Sequence, residues 1–410
     1  MSAAVQTPQP KTRRAILPSG LGLVQFAAAA VDGLVLSSIT VHALVRLRVG
    51  AETVGIVLAT AAAVAIVTAP LSGAIADRIG LPRAGAWYAT LSAAALLTYA
   101  ATRSLTGFAV AAVVFVTAQA ASGSIRHALA VAGLQGGDRT RLRASMHTAL
   151  NAGFGCGTVL GVVVLASAAD VVFSTAYALG ALLCLVTAGA TLRLRAPETT
   201  GLQERTFGLW VALRDRRFAG AVALACLVQL TMPILSLLLP VWVLRSAAPS
   251  WSAGLALAVN TVLVSIVQRG WAARLVDART TARSALIAAA AMLTAGLLLA
   301  ALPHADSAST AVALVSVAVV ALTAGEVSGG AAVWQVALQH VDASAEGRYQ
   351  SAFSMSASGA RILGPLIALP LVLHIGSSGW VLLTVVMSAA CVAVARCSLK
   401  PTPHQIDEKE

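Results

Sequence analysis

Twelve apolar runs, each close to the length that crosses a bilayer, limit what this chain can fold into. A spanning helix needs roughly 20 mostly apolar residues, because backbone groups left unpaired in hydrocarbon are too costly. The runs fall near 17–45, 53–76, 84–102, 105–126, 145–168 and 171–192, then 218–244, 252–273, 283–302, 309–333, 350–374 and 379–397. The chain is 58% hydrophobic but only 11% charged, too little polar surface to cover a water-soluble globule. The expected fold class is therefore an all-α integral membrane protein of about twelve transmembrane helices.

The longest polar connection, Arg193 to Arg217, divides the runs six and six. The expected organisation is a tail over 1–14, a six-helix bundle over 15–194, a central loop over 195–217, a second bundle over 218–397 and a tail over 398–410. Within the loop, Phe207–Phe218 is suited to an amphipathic interfacial helix. The run after the basic residues Lys11, Arg13 and Arg14 is too long for a signal-peptide core, so it reads as the first span.

Basic residues alternate between connections. They follow the even-numbered runs, as at Arg78 and Arg83, Arg139, Arg141 and Arg143, Arg274 and Arg279, and Arg348, and also occupy both tails. The other connections hold only Arg46, Arg48, Arg103 and Arg245. Lys and Arg accumulate on the cytoplasmic side, which predicts both termini inside and a bacterial cytoplasmic membrane. The +12 charge is spread along the chain in this way rather than gathered in a patch, which argues against nucleic acid as a partner. The five cysteines form no CxxC pair or zinc spacing and read as small packing residues. There is no phosphate-binding G-x-x-x-x-G-K-[ST] loop and no H-E-x-x-H pattern. An ATP-driven pump within this chain is excluded, no cofactor is called for, and no nucleophile-and-base pair suggests a membrane enzyme.

Weak internal repetition fits this division. Gly73 before Asp77 has a counterpart in Gly270 before Arg274, about 200 residues on, and Leu160-Gly161 has one in Leu363-Gly364-Pro365. Repeated six-helix halves are common in secondary transporters.

After the second run the chain reads Gly73-Ala-Ile-Ala-Asp77-Arg78-Ile-Gly80-Leu-Pro-Arg83. Gly73 permits close helix approach, Asp77 offers an acid at a helix end, Gly80 permits a turn, and Arg83 supplies a snorkelling cation. This stretch resembles the G-x-x-x-D-R-x-G-R-R signature of the major facilitator superfamily, in the loop where that family carries it. Pro82 stands in the region of the pattern and the second arginine is missing. The glycine-rich Asn151–Gly161 stretch, Gly325-Glu326 and Gly347–Gln350 add a likeness to small bacterial drug and metabolite antiporters, although the usual proline of the fifth helix is absent. The resemblance implies two six-helix bundles around a central cavity, a latch at the 2–3 loop, and monomeric, proton-coupled export of a small amphipathic or cationic compound. Proton-coupled uptake of a nutrient and a non-transporting sensor are the alternatives.

Ionisable groups inside a membrane are expensive and mark function by default. Asp32 in the first run and Glu326 in the tenth are the candidates for exchanging protons or binding a cation, with Arg361 in the eleventh as a possible partner of Glu326. Gln25 shares a helical face with Asp32; Gln119, Asn151, Gln229 and Asn260 are further candidates to line a cavity. Arg126 is expected to meet Asp77 in the latch. Pro233 and Pro240 are expected to kink the seventh helix, and Trp242 and Trp380 to sit at the membrane interface.

Overall fold

The structure is a computed structural model, which describes residues 17–131, 136–167, 169–194, 214–338, 353 and 355–399; side chains of 17–19, 131, 136–144, 147 and 338 are outside it. The polar tails, most of the central loop with its expected amphipathic helix, Gly347–Gln350 and the side chains of Arg139, Arg141 and Arg143 therefore lie outside the described residues.

Twelve helical stretches appear in chain order. The first six are α1 Leu17–Arg46, α2 Ala51–Ile79, α3 Leu81–Ala101, α4 Leu105–Val131, α5 Gly136–Ser167 and α6 Asp170–Leu192. The second six are α7 Arg216–Val243, α8 Trp251–Ala272, α9 Ala278–Ala301, α10 Ala308–Leu338, α11 Met355–Ile375 and α12 Ser377–Ser398. Among the described residues, eleven are long and apolar enough to cross a membrane. The exception is α3, whose 21 residues include Arg83, Thr90, Ser92 and Thr98 and which packs against α4 and α6.

Helix packing in a bilayer depends on small residues that let backbones approach, and α5 is built that way. Its Gly153, Gly157 and Gly161, spaced one turn apart, press on Phe26, Ala30 and Ser37 of α1, where any Cβ would overlap. In return, Gly33 of α1 presses on the Phe154 carbonyl. The glycine-rich stretch is thus the seam between α1 and α5. In the second six, Gly364 of α11 packs directly on Pro233 of α7, and Gly359 lies 2.7 Å (as a built Cβ) from the Cys226 sulfur.

α7 is broken rather than simply kinked. Pro233 has no N–H for the Gln229 carbonyl, which instead accepts from Met232 N at 3.3 Å in a tighter turn. A π-helical turn follows over Ile234–Leu238, and α11 has another over Gly364–Ala368. Each π turn runs into a Leu-Pro step, Leu239-Pro240 and Leu369-Pro370. Proline cannot supply the regular helical donor, and π turns absorb such defects inside longer helices.

Two sequence expectations change here. The 2–3 connection is a single residue: Gly73, Asp77 and Arg78 are helical, Gly80 turns the chain at φ 87°, and Arg83 is already in the first turn of α3. Trp242 and Trp380 are core residues, 4% and 0% exposed, with rings 6.0 Å apart edge to face. Trp242 escapes the interface because its indole N–H reaches the Leu299 carbonyl of α9 at 2.8 Å, which removes the need for water. The connection into α9 ends in a side-chain cap. Asp277 accepts from Thr280 N at 2.7 Å in a capping box, and these hydrogen bonds hold its exposed carboxyl below the usual carboxylate range.

Candidate functional site: a polar seam between the helix sets

Asp32 lies half-buried on α1. Gln119 of α4 donates from Nε2 to Asp32 Oδ1 at 2.7 Å, which leaves the second oxygen without a protein partner among the described residues. A hydrogen bond to a charged group is worth about 1.5–3 kcal/mol. One turn-pair nearer the Arg78 end, Gln25 and Arg126 join the same two helices. Arg126 Nε donates to Gln25 Oε1 at 2.7 Å and its Nη1 donates to Ser122 at 2.7 Å. Arg126 is 6% exposed, so this guanidinium is inside the helix set and not a snorkelling anchor.

The second set holds a matching pair. Asn260 of α8 donates from Nδ2 to Glu326 Oε2 at 2.8 Å and to Thr323 at 3.0 Å, tying α8 to α10. Gly325 and Gly329 bring α10 close to Met292 and Ala288 of α9, as the small residues around Glu326 suggested. Gln229 of α7 donates to Ser356 of α11. Asn151 is half-buried on α5 and belongs to neither cluster.

Two expected pairings are absent. Arg126 bonds Gln25 and Ser122, not Asp77; Asp77, Arg78 and Arg83 are all exposed, and none has an ion pair among the described residues. Arg361 makes no ion pair with Glu326, whose carboxylate is held by Asn260 among the described residues. Arg361 is exposed. Helix packing sets this: α10 packs on α8 and α9, whereas the part of α11 that carries Arg361 packs on α2 and α7. Ser122 and Thr323 were missed, yet both sit one helical turn from a charged residue already singled out, at i−4 from Arg126 and i−3 from Glu326.

The two sets meet near the end of the molecule that carries Arg46 and Glu52. There Gly55 of α2 packs on Leu369 and the Pro365 carbonyl of α11, and Gly254 of α8 packs on Val162 and Leu165 of α5. Glu52 pairs with His374 at 3.4 Å. Thr40 of α1 donates to the Ser236 carbonyl of α7 at 3.0 Å, taking the place of the N–H that Pro240 lacks. At the other end, residues Ser265–Gly270 of α8 are exposed on every side of the helix. Among the described residues, the contacts of Gly55, Gly254, Glu52 and Thr40 close the seam at the Glu52 end.

The family model described as Major Facilitator Superfamily matches residues 21–365. No curated protein sequence matches the chain. Among solved structures, the fold is similar to the nucleoside transporter NupG (14% identity, TM-score 0.70, covering 94% of this chain and 98% of that one). It is also similar to a bacterial homologue of the human drug peptide transporters PepT1 and PepT2 (13%, 0.68, 95% and 98%). A third is a bacterial homologue of the human lysosomal transporter Spinster, captured inward-facing and occupied (13%, 0.69, 95% and 97%). With the family model spanning most of its length and two six-helix sets meeting at a polar seam, this chain is a multi-pass membrane transporter of the Major Facilitator Superfamily.

Proposed function

We propose that this transporter exchanges protons for a small amphipathic or cationic compound and exports it, with Asp32 as the exchanging site. The observation that carries this reading is the oxygen of half-buried Asp32 that has no partner among the described residues, beside the one held by Gln119. A carboxylate held on one side by Gln119 and open on the other can bind a proton or a cation in turn, but not both. Competition of this kind is what couples two fluxes. Glu326, clasped by Asn260, is the secondary candidate.

The excess of arginine at the Arg78 and Arg274 end supports placing that end in the cytoplasm of a bacterium, with both termini inside. The closed Glu52 end then faces out. Residues 15–194 and 218–397 act as the two rocking units, working as a monomer, and the exposed Asp77, Arg78, Gly80 and Arg83 serve as the latch in the opposite, outward-open state. Uptake of a nutrient is the second reading, favoured by the likeness to nucleoside and peptide transporters.

Inverted vesicles energised to an acid interior test the proposal. Compounds that collapse the gradient in the wild type and not in Asp32→Asn support proton antiport. Collapse that persists in the mutant removes Asp32 from the mechanism. No collapse by any compound, with substrate-driven acidification in right-side-out vesicles, favours uptake.

A further inference from the structure

Resting on the reading of the seam as the transport site, we propose that the compound carried is amphoteric, with a cationic group received by Asp32 and an anionic group received by Arg361. Three placements carry this. First, Arg361 is exposed inside a membrane-spanning helix, with no carboxylate at ion-pair distance among the described residues. An intramembrane guanidinium that is neither buried in a pair nor at a helix end faces water or a ligand. Second, Arg361 lies on the face of α11 that looks at the other helix set. Pro365, one turn further along that face, packs through its carbonyl on Gly55 of α2, whereas the α7-facing side of α11 is marked by Ser356 and Gly364. Third, Asp32 keeps one oxygen without a hydrogen-bond partner among the described residues, and no ion pair there joins it to Arg361.

The two groups therefore belong to different helix sets, form no ion pair with each other among the described residues, and each has bonding capacity to spare. A purely cationic ligand would satisfy Asp32 and leave Arg361 facing a like charge. A purely anionic one would do the reverse. A ligand with both charges satisfies both, and it links the two helix sets. Guanidinium also favours planar carboxylate or phosphate groups through paired hydrogen bonds, which an ammonium in its place does not supply.

The test uses the full-length protein in detergent and a panel of amine-bearing carboxylic acids, from amino acids and dipeptides to amphoteric quinolone drugs. Each parent is paired with its methyl ester, which is only cationic, and its N-acetyl derivative, which is only anionic. Binding is read as thermal stabilisation, and transport as gradient collapse in inverted vesicles. At least one parent is expected to half-saturate at about tenfold lower concentration than either derivative, the worth of one lost charge-assisted bond. Arg361→Gln should erase the advantage of parent over ester, Asp32→Asn the advantage of parent over N-acetyl derivative, and Arg361→Lys should restore part of the first. The inference is overturned if esters bind as well as parents, if Arg361→Gln leaves the ranking unchanged, or if no parent stabilises protein shown to be folded. Esters that collapse the gradient through Asp32 while parents do not would sink this inference and leave proton-coupled export standing. Parents that bind as expected but move no protons would do the opposite.

Discussion

The two helix sets solve the same packing problem with different materials. In the first, α1 is one continuous helix from Leu17 to Arg46, seated against the glycine seam of α5. In the second, α7 and α11 meet through Pro233 and Gly364, and both carry π turns and Leu-Pro steps. Charge is divided in the same way. Among the described residues, Asp32 in the rigid set accepts one hydrogen bond, from Gln119, and keeps its second oxygen without a partner, whereas Glu326 in the other set is tied to Asn260, which also holds Thr323. The difference suggests a division of labour, with the first set holding the exchangeable charge in fixed geometry and the second supplying helices that can change shape around it.

The largest expected effect breaks the rigid seam. Gly157→Leu places a side chain on the Ala30 backbone, where no side chain can yield. Overpacking typically costs about 1–3 kcal/mol, and more where backbone is the obstacle. Folded protein, measured by fluorescence size-exclusion chromatography, should be lost. Gly189→Leu, where nothing lies within 4 Å, should express normally. Equal expression of the two variants would show that the α1–α5 contact is looser than described.

Next come the two acids. Asp32→Asn should abolish coupled transport, while Glu326→Gln retains most of it, because glutamine can still accept the Asn260 hydrogen bond. Equal losses would erase the distinction between the halves. Gln119→Leu should be milder, weakening substrate or proton binding by about tenfold to a hundredfold for one bond to a charged group. Dose–response curves in vesicles would measure it, and an unchanged curve would mean that Gln119 does not set the Asp32 geometry.

The smallest effect concerns the broken helix. Thr40→Val removes the hydroxyl that bonds the Ser236 carbonyl across the closed end. Loss of one neutral hydrogen bond, about 1 kcal/mol, should shift the balance between closed and open outer ends roughly fivefold. Cysteine-accessibility labelling at the Glu52 end would report it, with more labelling in Thr40→Val. Unaltered labelling would mean that other contacts hold that end shut.

Much of this was legible in the residues. The apolar runs and the scarcity of charge gave the spans, since hydrocarbon enforces length and composition directly. Asp32, Glu326 and Arg126 stood out because charge is rare there. What was not legible depended on rotation and on local defects. Arg361 was one candidate partner of Glu326 because their helices are neighbours in sequence, but α10 packs on α8 and α9 while the part of α11 that carries Arg361 packs on α2 and α7. Trp242 lies near the end of its helix, which suits an interface as well as a core, and only the reach to the Leu299 carbonyl separates the two. The prolines signalled a kink in α7, but not that a π turn would follow the break.

The central claim is that Asp32 is the charge exchanged when the ligand binds. Its most direct measurement is the proton release that accompanies binding, in weakly buffered detergent solution, of a compound that collapses the vesicle gradient. Binding that competes with a proton must expel it. The wild type and Glu326→Gln should release up to about one proton per compound bound, and Asp32→Asn should bind weakly without release. Undiminished release from folded Asp32→Asn would contradict the account.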